Sequence, residues 1–174
     1  MYLFHTVFGI DADTKRVACA VLRTDKDFTA QTESIETQQR EGNVAYCVEL
    51  EDLIRHAHGT GGVVYLEDTF CINRKGYKAL CAVQGEIFYE ARRNSFSNID
   101  TVQPSEWQSW LFSITKALQP HFEKEKGKAW VASALELSYP KLFTIANPKN
   151  EHEIDALALA LYGRYLVLSN AVPC

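Results

Sequence analysis

Residues 17–22 read Val-Ala-Cys-Ala-Val-Leu, an unbroken apolar run. A strand sends successive side chains to opposite faces, so such a run has apolar surface on both sides and needs cover on both. It follows a second apolar stretch, Val7, Phe8 and Ile10, across a short polar turn at Asp11–Lys15. The pair predicts two neighbouring strands at the centre of an α/β fold with helices packed on the sheet.

Downstream, the pattern alternates. "FTAQTESIET" has the period of a third strand, and apolar spacing turns helical over Glu41–His58 until "HGTGG" stops it. "VVYLEDTF" is a short buried strand that ends in carboxylates. A helix to about Arg93 uses Ala79, Leu80, Val83, Ile87 and Phe88, and "NIDTVQP" is a strand halted by Pro104. Helices are expected over Ser105–Gln119, with Trp107, Trp110, Leu111 and Ile114 inward, and over "KAWVASALELSY". The stretch "PKLFTIANPKN" reads as a loop into a last helix buried through Ile154, Leu157, Ala158, Leu161 and Tyr165. Strands first, then strands alternating with helices, imply a mixed central sheet of about five strands with helices on both faces. The 174 residues suit one domain, 1–174.

Apolar residues make up 47% and charged ones 23%, the balance of a folded globular chain. No apolar run is long enough for a bilayer, and the short apolar N-terminus reads as a strand, not a signal peptide. Five cysteines, an odd number without CxxC spacing, argue against a disulfide framework or structural zinc and for a reduced, cytoplasmic setting. The net charge is −4, yet residues 70–149 carry 11 basic and 7 acidic side chains. That central excess, which includes Arg74, Lys75, Lys78, Arg92, Arg93, Lys116, Lys124, Lys126 and Lys128, reads either as solvated helix faces or as a phosphate-binding surface.

Three acids stand out by position. Asp11 and Glu67 each close an apolar strand, and Asp155 lies in the first turns of a helix bound for the core. A buried carboxylate needs a cation, a donor or water. Three brought together repel one another, and a divalent cation with a preference for hard oxygens, Mg²⁺ or Mn²⁺, removes that repulsion. Asn150 and Glu153 form a capping-box pattern that accounts for Glu153, and helix opening also accounts for Glu151. His152 and Asp155 are three residues apart and share a helix face, so His152 is a candidate metal ligand or proton carrier as well as an ordinary histidine.

"FGIDADT", "VYLEDTF" and "HEIDALALAL", in that order, resemble the three acidic motifs of the RuvC family of Holliday-junction resolvases. The resemblance spans nearly the whole chain and implies an RNase H-like fold. It implies that Asp11, Glu67, His152 and Asp155 form the catalytic, metal-binding site for Mg²⁺, with Mn²⁺ able to substitute. It places Phe70 near the branch point, where it could stack on a base or simply pack in the core, and Lys126 near the scissile phosphate, with Lys128 as the alternative. Arg74 and Lys75 join these as candidate DNA contacts. "VQPSEWQSWL" resembles a V-x-P-x-x-W stretch of phage-type members, in which the Trp packs. Asp13 is an additional acid, assigned to the turn. The sequence lacks the glycine that usually follows the first motif's Asp.

These readings imply a metal-dependent, structure-selective endodeoxyribonuclease. It would resolve four-way DNA junctions by paired nicks that leave 5′-phosphate and 3′-hydroxyl ends. The resemblance also implies a homodimer, with the helix Lys75–Arg93 as the candidate face, and a cytoplasmic location, on the nucleoid or in a phage host. Alternatives are an RNase H-like nuclease for other branched DNA or RNA, and a non-catalytic junction-binding protein.

Overall fold

The computed structural model describes residues 6–13, 15–23, 29–36, 38–40, 44–46, 62–68, 74–93, 96 and 98–170. Its strands are β1 (Thr6–Ala12), β2 (Arg16–Arg23), β3 (Thr29–Glu36), β4 (Gln38–Arg40), β5 (Val44–Tyr46), β6 (Val63–Glu67) and β7 (Asn98–Val102). Its helices, numbered in chain order, are α1 (Arg74–Arg93), α2 (Pro104–Leu118), α3 (Ala129–Ser138), α4 (Pro140–Ala146) and α5 (Glu151–Asn170).

The main sheet has the order β3-β2-β1-β6-β7. β1 pairs antiparallel with β2, and β2 with β3, while β6 lies parallel to both β1 and β7. This is the mixed five-stranded α/β sheet that the sequence pattern implies. Period two then sorts the central strands. Val7 of β1, Ala18, Ala20 and Leu22 of β2, and Val63 and Tyr65 of β6 face a core shared with α2, α3, α4 and α5. Phe8 and Ile10, Val17 and Cys19, and Val64 and Leu66 face a second core closed by Val83, Ile87 and Ala91 of α1. The unbroken apolar run on β2 is thus covered on both sides.

The last helix comes unusually near the sheet. A Cβ on Gly9 would lie 2.1 Å from the Ala156 carbonyl oxygen and 2.4 Å from the Ala160 nitrogen. One on Gly163 would lie 2.1 Å from the Tyr65 ring. Glycine at these two positions, and alanine at 156, 158 and 160, let α5 lie backbone-to-backbone on β1. The helix is buried nearly all round from Asp155 to Leu161.

Three expectations need correction. The segment 140–146 is the helix α4, not a loop. Pro140 is tolerated in a first turn, and Leu142 and Ala146, four apart, bury one face. Tyr165 is 47% exposed, with its ring beside those of Trp110 and Tyr162 at the surface. Within the expected helix 41–58, the described residues Val44–Tyr46 are instead a strand paired with Gln38–Arg40, and the remainder lies outside the described residues.

Candidate active site

The face parity that sorts the core also aims the acids. Asp11 continues the β1 series Val7, Gly9, and Glu67 continues the β6 series Val63, Tyr65. Both therefore point to the face that α5 covers. Ile10 pairs with Leu66 in the parallel register, and one further step sets Asp11 beside Glu67. α5 crosses this edge of β1 at the distance permitted by Gly9 and brings Asp155 over the pair. One carboxylate oxygen from each of Asp11, Glu67 and Asp155 lies within 4.8 Å of the others. These residues are separated by scores of positions in the chain and converge only through the fold.

Among the described residues, each acid has a side-chain partner that is not a carboxylate. His152 Nδ1 lies 2.7 Å from Asp11 Oδ2, and its Nε2 lies 3.5 Å from Asp13 Oδ2. The indole N–H of Trp107 donates to Glu67 Oε2 at 2.9 Å. The ammonium of Lys128 donates to Asp155 Oδ2. Gly127, at φ 84, turns the chain into α3 just before Lys128 and so presents that side chain.

The electrostatics follow from burial and crowding. Burial, then the Asp11 charge, pushes the Glu67 carboxyl up to about 7 against the opposing pull of Lys128. Burial also pushes Asp155 up to about 6, although Lys128 pulls it down. Burial alone would lower Lys128, but Asp155, Asp11 and Glu67 together outweigh it and raise the ammonium to about 12. The hydrogen bond that the His152 ring donates to the Asp11 carboxylate raises His152 in spite of partial burial.

The residues suit a hard divalent cation. The converging atoms are all oxygens, and Asp155 Oδ1 is buried with no hydrogen-bond partner among the described residues. Such a cation takes oxygen ligands, and the three carboxylates gather theirs within 4.8 Å of one another. Asp11, Glu67 and Asp155 would be the ligands, with His152 beside Asp11.

Of the other candidate residues, Lys128 lies in the cluster, while Lys126 is exposed two residues before it. Asp13 shapes the turn: its Oδ1 accepts the Lys15 and Arg16 N–H groups at 2.5 and 2.8 Å. Glu153 points away from the acids and into β3. It accepts hydrogen bonds from Ser34 (2.7 Å), Thr32 (3.2 Å), Asn150 (2.9 Å) and the Lys149 N–H (2.9 Å). Burial pushes its carboxyl up, but these donors prevail and hold it below the usual range. The capping box is present as well, because Asn150 Oδ1 accepts the Glu153 N–H at 3.1 Å. Phe70 lies outside the described residues, as do the side chains of Arg74 and Lys75, whose backbone opens α1. The sequence reading assigned Trp107 to packing alone. The donor role it missed was signalled by the indole N–H, which needs a partner when buried.

No protein-family model matches the sequence, and no curated protein matches it. Solved structures do match in fold. The chain superposes on Thermus thermophilus RuvC in complex with a Holliday junction substrate with a TM-score of 0.62, 17% identity, and coverage of 98% of this chain and 99% of that one. A second T. thermophilus RuvC structure gives 0.57 and 20%, over 97% and 99% of the chains. The yeast mitochondrial Holliday junction resolvase gives 0.54 and 11%, over 97% and 87%. The protein therefore has the RNase H-like fold of RuvC along essentially its whole length.

Proposed function

We propose that the protein is a metal-dependent endodeoxyribonuclease that resolves four-way DNA junctions by paired nicks, leaving 5′-phosphate and 3′-hydroxyl ends. The observation that carries this reading is the convergence of Asp11, Glu67 and Asp155 oxygens within 4.8 Å on a RuvC-type fold. Structural neighbours that include a junction-bound RuvC and a mitochondrial junction resolvase support the choice of substrate.

Mg²⁺ or Mn²⁺ held by the three acids would supply activation of water and stabilisation of the leaving oxygen. The chain's own residues do the rest. Asp11, Glu67 and Asp155 bind the cation as carboxylates, so a proton held by Glu67, whose carboxyl is raised to about 7, is released on loading. His152, on Asp11 and near Asp13, is placed to take a proton from the attacking water and pass it toward the surface. Lys128 neutralises Asp155 before loading. Its long, partly exposed side chain can then turn to the substrate phosphate once a cation replaces it. Lys116, Lys124 and Lys126 add positive charge between α2 and α3, and Phe70, Arg74 and Lys75 are further proposed DNA contacts. A second copy docked through α1, where Tyr89 is 66% and Tyr77 49% exposed, would give two sites for paired nicks. No described helix is long and apolar enough to cross a membrane.

The test is cleavage of a labelled mobile four-way junction with Mg²⁺ and with Mn²⁺, beside flaps and RNA–DNA hybrids. Wild type should nick the junction symmetrically, and Asp11→Asn should lower the rate by at least about a hundredfold, since ligand loss exceeds the effect of outer partners. Junction binding without any metal-dependent nick would make the protein a binding module. Preferential cleavage of hybrids would redirect the substrate.

A further inference from the structure

Three side chains hold the three acids, and they differ in what a cation does to them. His152 and Lys128 are basic. A divalent ion at the carboxylates repels the Lys128 ammonium and competes with it for Asp155. Trp107 is neutral, donates only, and cannot lose its N–H at any working pH. Its bond to Glu67 Oε2 is therefore indifferent to the charge of a cation in the site.

The position of Trp107 is built in. Val102, the last residue of β7, pairs with Glu67 in the parallel register. The Asp68 N–H donates to the Val102 carbonyl at 2.8 Å, and Gln84 donates to the Glu67 carbonyl at 3.1 Å, so the peptide that follows Glu67 is held at both its N–H and its carbonyl. Pro104 starts α2 one residue after Gln103, and the Glu106 carboxylate accepts the Gln103 N–H at 3.0 Å. That tight strand-to-helix turn sets Trp107, with no exposed surface, against the end of β6. The V-x-P-x-x-W spacing is the covalent form of this geometry: strand partner, helix start, indole donor.

Glu67 needs such a clamp more than its companions do. It has one more rotatable bond than an aspartate, and its rotamer freedom opposes ligation. We infer that Trp107 is a positioning residue for the metal site: its indole N–H pins Oε2 and leaves Oε1 free for the cation. The inference rests on the reading of the three acids as cation ligands.

Isothermal titration of Mn²⁺ into wild type, Trp107→Phe and Trp110→Phe tests it without DNA or turnover. Wild type and Trp110→Phe should bind alike, and Trp107→Phe should bind about tenfold more weakly, the loss typical of an outer partner of a ligand. Unchanged affinity in a folded Trp107→Phe protein overturns the inference and leaves the metal site standing. No binding by wild type overturns both. A second measurement needs no variant at Trp107. On Mg²⁺ titration of the wild-type protein, the Trp107 indole N–H proton resonance should shift in step with site filling, while that of Trp110 serves as the reference. A Trp107 resonance that stays fixed as the site fills overturns the inference even where Trp107→Phe fails to fold.

Discussion

Asp155 has one oxygen on Lys128 and the other buried without a partner among the described residues. Removal of Lys128 strands that carboxylate. Lys128→Ala should destabilise the cation-free protein by about 1–2 kcal/mol, a buried-pair effect discounted because the lysine is partly exposed. With saturating Mg²⁺ the loss should shrink, because the cation takes over the neutralisation. Thermal denaturation with and without Mg²⁺ measures both. Glu67 and Asp155 make a pH prediction whose sign is fixed. Their carboxyls sit at about 7 and about 6, above their ordinary values, so the folded state keeps protons that the unfolded chain has already released. The resulting destabilisation is absent below the unfolded values and complete above about 7. The raised His152 acts in the same direction, since its contribution is present in acid and lost as pH rises through its folded value. In chelator, the melting temperature should fall from about pH 5 to pH 8. Mg²⁺ should reverse this trend at the alkaline end, where its ligands are ionised. A flat profile in chelator would mean that the acids are not crowded.

The helix α5 reaches the site because two elements make room for it and one ties it down. Gly9→Ala would put a methyl carbon 2.1 Å from the Ala156 carbonyl, backbone against backbone, with nothing flexible to yield. It should cost about 3 kcal/mol or more, at the upper end for overpacking. If the fold survives by shifting α5, Asp155 moves with it, and Mn²⁺ affinity should fall too. The tie is Glu153, whose carboxylate accepts from Ser34 and Thr32 on β3 and from the Lys149 N–H. Glu153→Gln replaces an acceptor with an amide that faces those donors. The expected loss is about 2 kcal/mol by chemical denaturation, the range for hydrogen bonds to a charged group. Cleavage should persist wherever the protein is folded, because Glu153 points away from the acids. The same element shows what periodicity can mislead. A helix covered on nearly every side has no single apolar stripe, so the sequence reading of one buried face extended to Tyr165, which is exposed.

Across the whole molecule, charge is uneven along the chain. The net charge is −4, yet Lys124, Lys126 and Lys128, interleaved with Glu123 and Glu125, precede α3, and Lys128 reaches the acids. Binding to a junction by this surface should weaken steeply with salt, as counterion release requires, and Lys126→Ala should lower affinity modestly for every substrate alike. Paired nicks need two sites, and α1 offers its exposed Tyr77 and Tyr89 for a second copy. Tyr89→Glu should shift the sedimentation of a dimer toward the monomer and convert paired nicks to single ones. A wild-type protein that sediments as a monomer at working concentration and still resolves junctions would remove α1 from that role.

Short apolar runs, local alternation and helical spacing of apolar residues were enough to locate β1, β2, β3, β6 and β7 and most of the helices. An acid directly after an apolar strand, or at the start of a buried helix, was enough to single out Asp11, Glu67 and Asp155. Side-chain direction has period two in a strand, so these signals are written in neighbouring residues. What the neighbours do not carry is register and approach. The choice of Lys128 over Lys126 as the cluster's lysine depends on the turn at Gly127, and the bond from Trp107 to Glu67 depends on β7 pairing with β6. The 4.8 Å convergence itself depends on α5 lying against Gly9. Those are contacts between segments far apart in the chain, and they exist only once the sheet has closed and the helix has packed on it.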